Sequence, residues 1–235
     1  MVSAVDLLSI QPADLDAIAL SVNLALLTSL TLLILGTPLA LWLAKSPSRL
    51  VPWIHAFTSL PLVLPPTVLG FYLLLWFSPQ GAIGAAFEQL GFRAPAFSFQ
   101  GLWMACTIAS LPFVVQPLQT AFGSIGRIPW EVAATLRCSP LQTFLRVILP
   151  MARRGYIAAF ILSFAHTLGE FGVVLMVGGN IRGVTQTVST SIFGHVEALD
   201  YASAHRLSAL LVAIGLFLVA LVQFAERRTG EARRA

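Results

Sequence analysis

The sequence predicts an all-α membrane protein, and three observations carry that prediction. The 235 residues are 57% apolar and only 10% charged, whereas a soluble domain carries about 25% charged residues. Five apolar runs, residues 18–44, 54–77, 99–123, 155–178 and 204–225, each reach the roughly 20 residues that cross a hydrocarbon core. The basic residues are also segregated. Eleven of the fourteen lie on one side of these runs, at Lys45 and Arg49, between 127 and 154, and between 227 and 234, leaving Arg93, Arg182 and Arg206 on the other. Positive charge marks the cytoplasmic side, so five spans place the N-terminus outside and the C-terminus inside.

Residues 1–17 are expected outside, where Asp6, Asp14 and Asp16 precede any basic residue. The first run lacks the basic leader and the short apolar core, about 7–15 residues, of a signal peptide, so an uncleaved helix is expected. The second run contains Pro61, Pro65 and Pro66, each of which removes a backbone hydrogen bond. A broken helix at membrane depth is tolerated where it lines a cavity or is buried in protein. The prolines therefore mark either a helix lining a pathway or a kink packed against its neighbours. Beyond it, Ile83, Phe87 and Leu90 fall at helical spacing, which suggests a small interfacial helix. The third run holds no ionisable residue. The fourth carries His166 and, one turn on, Glu170, both on one face. The loop 179–203 is polar and rich in Thr and Ser, suited to the mouth of a pathway or to an ordinary solvated loop. Residues 226–235 are expected as a cytoplasmic tail too short for a further regulatory domain.

The most distinctive segment is the polar loop 124–154. Pro129 sits near the first turn of one short helix, where its missing N–H costs little. Ser139-Pro140-Leu141-Gln142 then restarts a helix with a Ser-x-x-Gln capping box and Pro at the first position. Leu141, Phe144, Leu145 and Ile148 follow as one apolar stripe, and Pro150 is expected to close the element. Helices this short are unstable alone in water. Their apolar faces must pack on the protein's own membrane base, on a partner, or on both.

Glu-x-Ala-Ala at Glu131, Ala133 and Ala134, the turn, and Ile148-Leu149-Pro150 resemble the coupling loop of ABC importer permeases, on which a separate ATPase docks. Residues 60–70, LPLVLPPTVLG, are similar to the second-span signature of molybdate permeases. LGEFG at 168–172, MVGGNI at 176–181 and Thr185-Gln186-Thr187 resemble the same family's fourth span and following loop. The resemblance covers nearly the whole chain. It implies a type I ABC importer membrane core with coupling residues Glu131, Ala133, Ala134, Arg137, Ser139, Leu141, Phe144, Leu145, Ile148 and Pro150. It further implies a homodimer with two ATPase subunits and an external or periplasmic oxyanion-binding protein, in a bacterial or archaeal cytoplasmic membrane. ATP and Mg would be held on the ATPase, with no cofactor or metal on this chain. Tungstate and sulfate are the alternative substrates. In one place the sequence departs from the family, with Arg137 where Gly is usual. A left-handed residue other than Gly costs on the order of 1 kcal/mol. Either Arg137 stays helical and the turn moves to Cys138–Ser139, or new contacts meet that cost.

Candidate pathway or gate residues are Pro61, Pro65, Pro66, Thr67, Gly70, Gly169, Glu170, Asn180, Thr185 and Thr187. An intramembrane carboxylate is a functional candidate by default, yet Glu170 would repel a dianion. A helix-bonding or gating role suits it better, with His166 as packing neighbour. Neutral donors and helix N-termini can guide a tetrahedral dianion, which suits Thr67, Asn180, Thr185 and Thr187. Arg182 would attract an anion outside or be a plain surface charge.

Other function classes fare poorly. The arginines are dispersed over several loops, which argues against a nucleic-acid site. Cys106 lies in a run and Cys138 in a loop, so no disulfide or metal pair is suggested. The only lysine, Lys45, follows Ala44, so there is no Walker A motif and no ATPase site. The sequence holds no His-Glu-x-x-His and no Gly-x-Ser-x-Gly, and no aspartate lies in an expected span, which disfavours an intramembrane enzyme. A passive channel would have no need of a docking loop.

Overall fold

The structure, a computed structural model, describes residues 11–232, and side chains as far as Gln223. Residues 1–10 of the expected external segment lie outside that description, as do Arg233, Arg234 and the side chains of Arg227 and Arg228. Every element among the described residues is helical.

Helix α1, Pro12–Lys45, starts earlier than the expected span because Pro12 suits the first helical turn. It thereby takes Asp14 and Asp16 into its first turns. The second run is two helices, α2 (Val51–Val63) and α3 (Pro66–Phe77). Pro65 and Pro66 drive the residues before them out of the helical region. Leu64 and Pro65 accordingly sit at ψ 135° and 133°, while Pro61 is absorbed inside α2. Helix α4, Ala82–Gln89, is the short helix expected there, with Leu90 left highly exposed beyond its end.

Helix α5, Phe99–Ile125, bends by 42° between Ala109 and Leu111, next to Pro112, whose ring crowds the carbonyl one turn back. Helices α6 (Ile128–Thr135) and α7 (Pro140–Thr143) form the polar loop. A π-helical turn, Phe144–Ile148, then joins α7 to α8, Leu149–Gly169. Pro150 therefore does not close the element. Its missing N–H falls where the ladder widens, and one helical run continues from 140 to 169.

The fourth run is also divided, at Glu170 and Phe171, before α9, Gly172–Gly178. The loop expected at 179–203 is about half helical. It contains α10, Val188–Glu197, and the start of α11, Tyr201–Ala232. The α10 signal is a Thr187/Thr190 capping box. By length and composition, runs 12–45, 66–89, 140–169 and 201–223 can each cross a membrane, and bent α5 makes a fifth.

The main core joins α1, α5 and α8 through Leu32, Leu43, Val114, Leu118, Phe122 and Ala159. Small residues allow close crossings there, as in membrane bundles. A Cβ on Gly155 would meet that of Ala121, and one on Gly36 would stand 3.0 Å from Val114. Hydroxyl pairs link the same helices, half-buried between Tyr156 and Thr37 with oxygens 2.9 Å apart and buried between Ser110 and Thr167, also 2.9 Å apart. A second cluster packs α3, α9 and the first half of α5 through Leu73, Phe77, Ala105, Ala109, Val173 and Val177.

Candidate coupling surface and translocation path

Helix α6 ends as the sequence allows it least. Arg137 has φ 55°, the left-handed conformation that Gly adopts freely. Its N–H donates to Ala134 O at 3.0 Å, and the Cys138 N–H donates to Ala133 O at 3.1 Å. This is a Schellman ending with arginine at the position glycine usually fills, so the turn does not move to Cys138–Ser139. Two residues on, the expected capping box forms. Gln142 N–H donates to Ser139 Oγ at 3.2 Å, and Ser139 N–H to Gln142 Oε1 at 3.1 Å.

The stripe Leu141, Phe144, Leu145 and Ile148 divides between two faces. Ile148 is fully buried and Phe144 packs against the main core, whereas Leu141 and Leu145 stand exposed. The π turn explains the split, since a wider turn shifts the angular phase of the residues on either side. On α6, Ile128, Val132 and Leu136 are exposed at i, i+4 and i+8. Ala133 is buried, while Glu131 and Ala134 face outward. Trp130 packs against the main core, and the Lys45 ammonium lies 2.8 Å from its ring centroid. The two short helices thus combine an exposed apolar face with an inner face rooted in α1, α5 and α8.

The two helix breaks meet. A Cβ on Gly172 would stand 2.7 Å from Pro66 Cβ, and one on Gly70 would stand 3.0 Å from Val173 Cα and 2.9 Å from Met176 Cβ. Half-helices α3 and α9 therefore run side by side with their N-termini together. Gly70 and Gly172 are the residues that allow their approach. Glu170, 7% exposed, turns its carboxylate onto the start of α9, where Val173 N–H donates to Oε1 at 3.0 Å. The Phe171 and Gly172 N–H groups also reach it. A carboxylate at a helix N-terminus is favoured by the orphan donors and the dipole. His166 Nε2 is 3.8 Å from Oε2, beyond hydrogen-bond length, and its ring packs at a tilt of 46° against Phe113, centroids 4.1 Å apart. Pro65, Pro66, Thr67 and Gly169 are exposed beside this junction, with Pro61 half-buried.

In the loop after α9, the Thr185 hydroxyl donates to Gly178 O at 2.6 Å and accepts from Ile181 N–H at 3.0 Å. Thr187 caps α10. Both hydroxyls are occupied in shaping the backbone and are poorly placed to contact a passing anion. Asn180, at φ 55°, keeps a buried Oδ1 without a protein partner. It lines a cleft of about 210 Å³ with Arg182 and Gln186.

Two groups escaped the sequence reading. Asp14 accepts from Ser191 Oγ at 2.8 Å and lies 3.0 Å from His195 Nε2, and His195 Nδ1 is 3.4 Å from Asp200. These contacts stitch the start of α1 to α10, and separations of about 180 residues left no local signal. The other is an exposed polar face on the second half of α5, at Gln116, Thr120, Gly123 and Ser124. Its spacing of i, i+4, i+7 and i+8 inside an apolar run was the available signal.

Residues 36–231 match the family described as binding-protein-dependent transport system inner membrane component. The chain is 55% identical over 215 residues to the molybdenum transport system permease protein ModB of Azotobacter vinelandii, covering 92% of this chain and 95% of that one. It is 38% identical over 208 residues to the ModB protein of Mycobacterium tuberculosis, covering 88% and 78%. The sulfate transport system permease protein CysT of Salmonella typhimurium is 33% identical over 177 residues, covering 75% and 64%. A chain in the crystal structure of a bacterial alginate ABC transporter superposes with a TM-score of 0.70 at 16% identity, covering 92% and 77%, a likeness of fold alone. The chain belongs to the family of binding-protein-dependent transport system inner membrane components, in its molybdenum-permease branch.

Proposed function

We propose that this chain is the membrane-spanning permease subunit of an ATP-driven importer that carries molybdate across a bacterial or archaeal cytoplasmic membrane. The observation that carries this reading is the 55% identity to a molybdenum permease across 95% of that relative's length. Residues 18–225 form the transmembrane domain, between an external segment, 1–17, and a cytoplasmic tail, 226–235. The N-terminus lies outside, and the loop 124–154 lies in the cytoplasm with most of the basic residues.

The exposed apolar face at Ile128, Val132, Leu136, Leu141 and Leu145 docks on a separate ATPase, with Glu131, Ala134 and Arg137 beside it. Trp130, Ala133, Phe144 and Ile148 transmit movement of that face into the core, and Ser139 and Pro150 set the geometry of the connection. The working unit is a homodimer with two ATPase subunits, which hold ATP and Mg, and an external oxyanion-binding protein. This chain needs no cofactor of its own. Closure of the ATPases shifts the population from inward- to outward-facing states. The junction at Pro61, Pro65, Pro66, Thr67, Gly70, Gly169 and Glu170 is the gate region, with Asn180 nearest the outer mouth and Thr185 and Thr187 holding its loop.

Uptake of labelled molybdate by cells with and without the chain, with unlabelled tungstate or sulfate as competitor, tests the reading. Uptake lost on deletion and competed by tungstate but not sulfate is expected. Unchanged uptake, or competition mainly by sulfate, would overturn the substrate.

A further inference from the structure

We infer that the polar face on the second half of α5 is the inner wall of the passage, and that Gln116 and Gln119 are the donors that meet the oxyanion there. This inference rests on the importer reading above and names residues that the family resemblance did not mark.

The argument begins with an inverted pattern. Along residues 114–124, the face of α5 turned to α1 and α8 is apolar and buried, at Val114, Val115, Leu118 and Phe122. The opposite face, at Gln116, Thr120, Gly123 and Ser124, is exposed and carries no large apolar side chain. Other membrane-crossing helices expose Leu30, Ile34, Trp76, Leu216 and Phe217, as a lipid-facing surface requires. Polar side chains at membrane depth face a bundle interior or water. This face spans about 12 Å at 1.5 Å per residue.

The surroundings fit a route for a hydrated anion. A cleft of about 570 Å³ separates this face from α2 and is lined by His55, Gln116, Gln119 and Thr120. Gln116 Nε2 lies 3.4 Å from Ser59 Oγ across it. Three residues earlier, Phe113 packs against the His166 ring, one turn from Glu170 and the paired half-helices. Toward the other end, Thr120 and Ser124 line a second cleft with Arg153 and Arg154. The polar face thus continues from the junction toward the basic end of the molecule.

Hydrogen bonding singles out the glutamines. The Thr120 hydroxyl donates to Gln116 O at 3.0 Å, and the Ser124 hydroxyl donates to Ala121 O at 2.8 Å. Each hydroxyl has one proton, so these two offer only acceptor oxygens to the cleft. The Gln116 amide donates one N–H to Ser59 Oγ and keeps a second, and the Gln119 amide also carries N–H donors. Neutral amides replace part of an anion's hydration without the strong hold of an arginine, which suits transit better than storage.

The test uses the assembled transporter in inside-out vesicles, in a Cys138→Ser background, since Cys106 is buried. Single cysteines at Gln119, Thr120 and Ser124 are treated with a membrane-impermeant anionic thiosulfonate, with Leu216→Cys as the lipid-facing control. Labelling at the three positions at least tenfold faster than at the control, and slowed by molybdate, is expected. Labelling no faster than at the control would overturn the proposal, because lipid or a second copy then covers the face. Gln119→Glu should lower uptake tenfold or more while the ATPase still co-purifies. Unchanged uptake in that variant would also overturn it. Slowing by sulfate and not molybdate would support the passage and sink the substrate reading alone.

Discussion

Arg137 offers a measurable test of how the loop 124–154 is held. Its φ of 55° places an L-residue where the Cβ crowds the following carbonyl, at a cost of about 1–2 kcal/mol. Glycine removes that cost, but its wider freedom in the unfolded chain takes back about 0.5–1 kcal/mol. The net gain for Arg137→Gly is about 0.5–1 kcal/mol, or two- to fivefold in a local opening equilibrium. Removing the guanidinium also weakens a favourable contact with the α6 dipole, worth about 0.3–1 kcal/mol. Arg137→Ala is therefore the proper reference, since it loses the same charge and keeps the Cβ. Hydrogen exchange of the residue-137 and Cys138 amides, which donate to Ala134 and Ala133, reads the equilibrium directly. After correction for intrinsic rates, both amides should be two- to fivefold better protected in the Gly variant than in the Ala variant. Equal protection, or less, would refute a left-handed residue at this position.

Gly70→Ala should destabilise the solubilised protein by about 1–3 kcal/mol through overpacking, seen as a lower melting temperature, because its Cβ would meet Val173 Cα and Met176 Cβ. Glu170→Leu leaves the Val173 N–H without its acceptor and should cost about 1–3 kcal/mol, whereas Glu170→Gln keeps an acceptor oxygen and should melt near the parent. Pro150→Ala permits an ordinary α-helical turn in place of the π turn and should swing Leu141 and Leu145 by about 100° relative to α8; ATPase binding to detergent-solubilised protein should weaken, and unchanged binding would show that the π turn does not set that face. Asp200 accepts from the Ser203 hydroxyl and N–H, which hold its carboxyl below the usual range. Its stabilisation of the start of α11 is present above the unfolded-state pKa near 4 and lost as pH falls through the lower folded value, so Ser203 amide protection should persist at neutral pH and fall only in acid.

What was legible in the sequence was local. The break at Pro65–Pro66 and the capping box at Ser139–Gln142 follow from backbone chemistry within four residues, and the short helix after Gly81 from the spacing of Ile83, Phe87 and Leu90. Glu170 was marked as unusual, but its role was not. A carboxylate bonding the N–H three residues on needs a helix start there, and the apolar sequence VVLMV after Gly172 looks continuous with the run before it. Pro150 was misread because proline as a terminator and proline beside a π turn look alike in sequence. The division of Leu141 and Leu145 from Phe144 and Ile148 follows from that same turn. Thr185 and Thr187 read as free hydroxyls until the loop folded around them, and Arg137 was posed as two alternatives that only geometry distinguishes.

The interruptions fall at one level of the molecule, and that placement bears on how a push at the proposed coupling surface would travel. Ser110, beside the bend in α5, touches Thr167, three residues from the Glu170 break, and Gly172 lies against Pro66. On one side of this level lies the cluster of Val114, Leu118, Phe122, Ile148 and Ala152, with Trp130 and Phe144 packed on it. On the other lie Leu73, Phe77, Ala105, Ala109, Val173 and Val177. Close-packed clusters resist deformation, while helix breaks are where φ and ψ absorb a hinge. A displacement of α6 and α7 by a docked ATPase would therefore move the first cluster nearly as a body and be taken up at Pro65, at the α5 bend and at Glu170. Helix α1 runs unbroken past this level, with Leu24 packed on Leu102 and Val174 and Leu32 in the main core. It is the strut about which the two blocks would turn. The Glu170 carboxyl group then acts as the clasp that keeps α9 helical while the chain before it pivots, which accounts for an acidic side chain at this level without assigning it to the substrate.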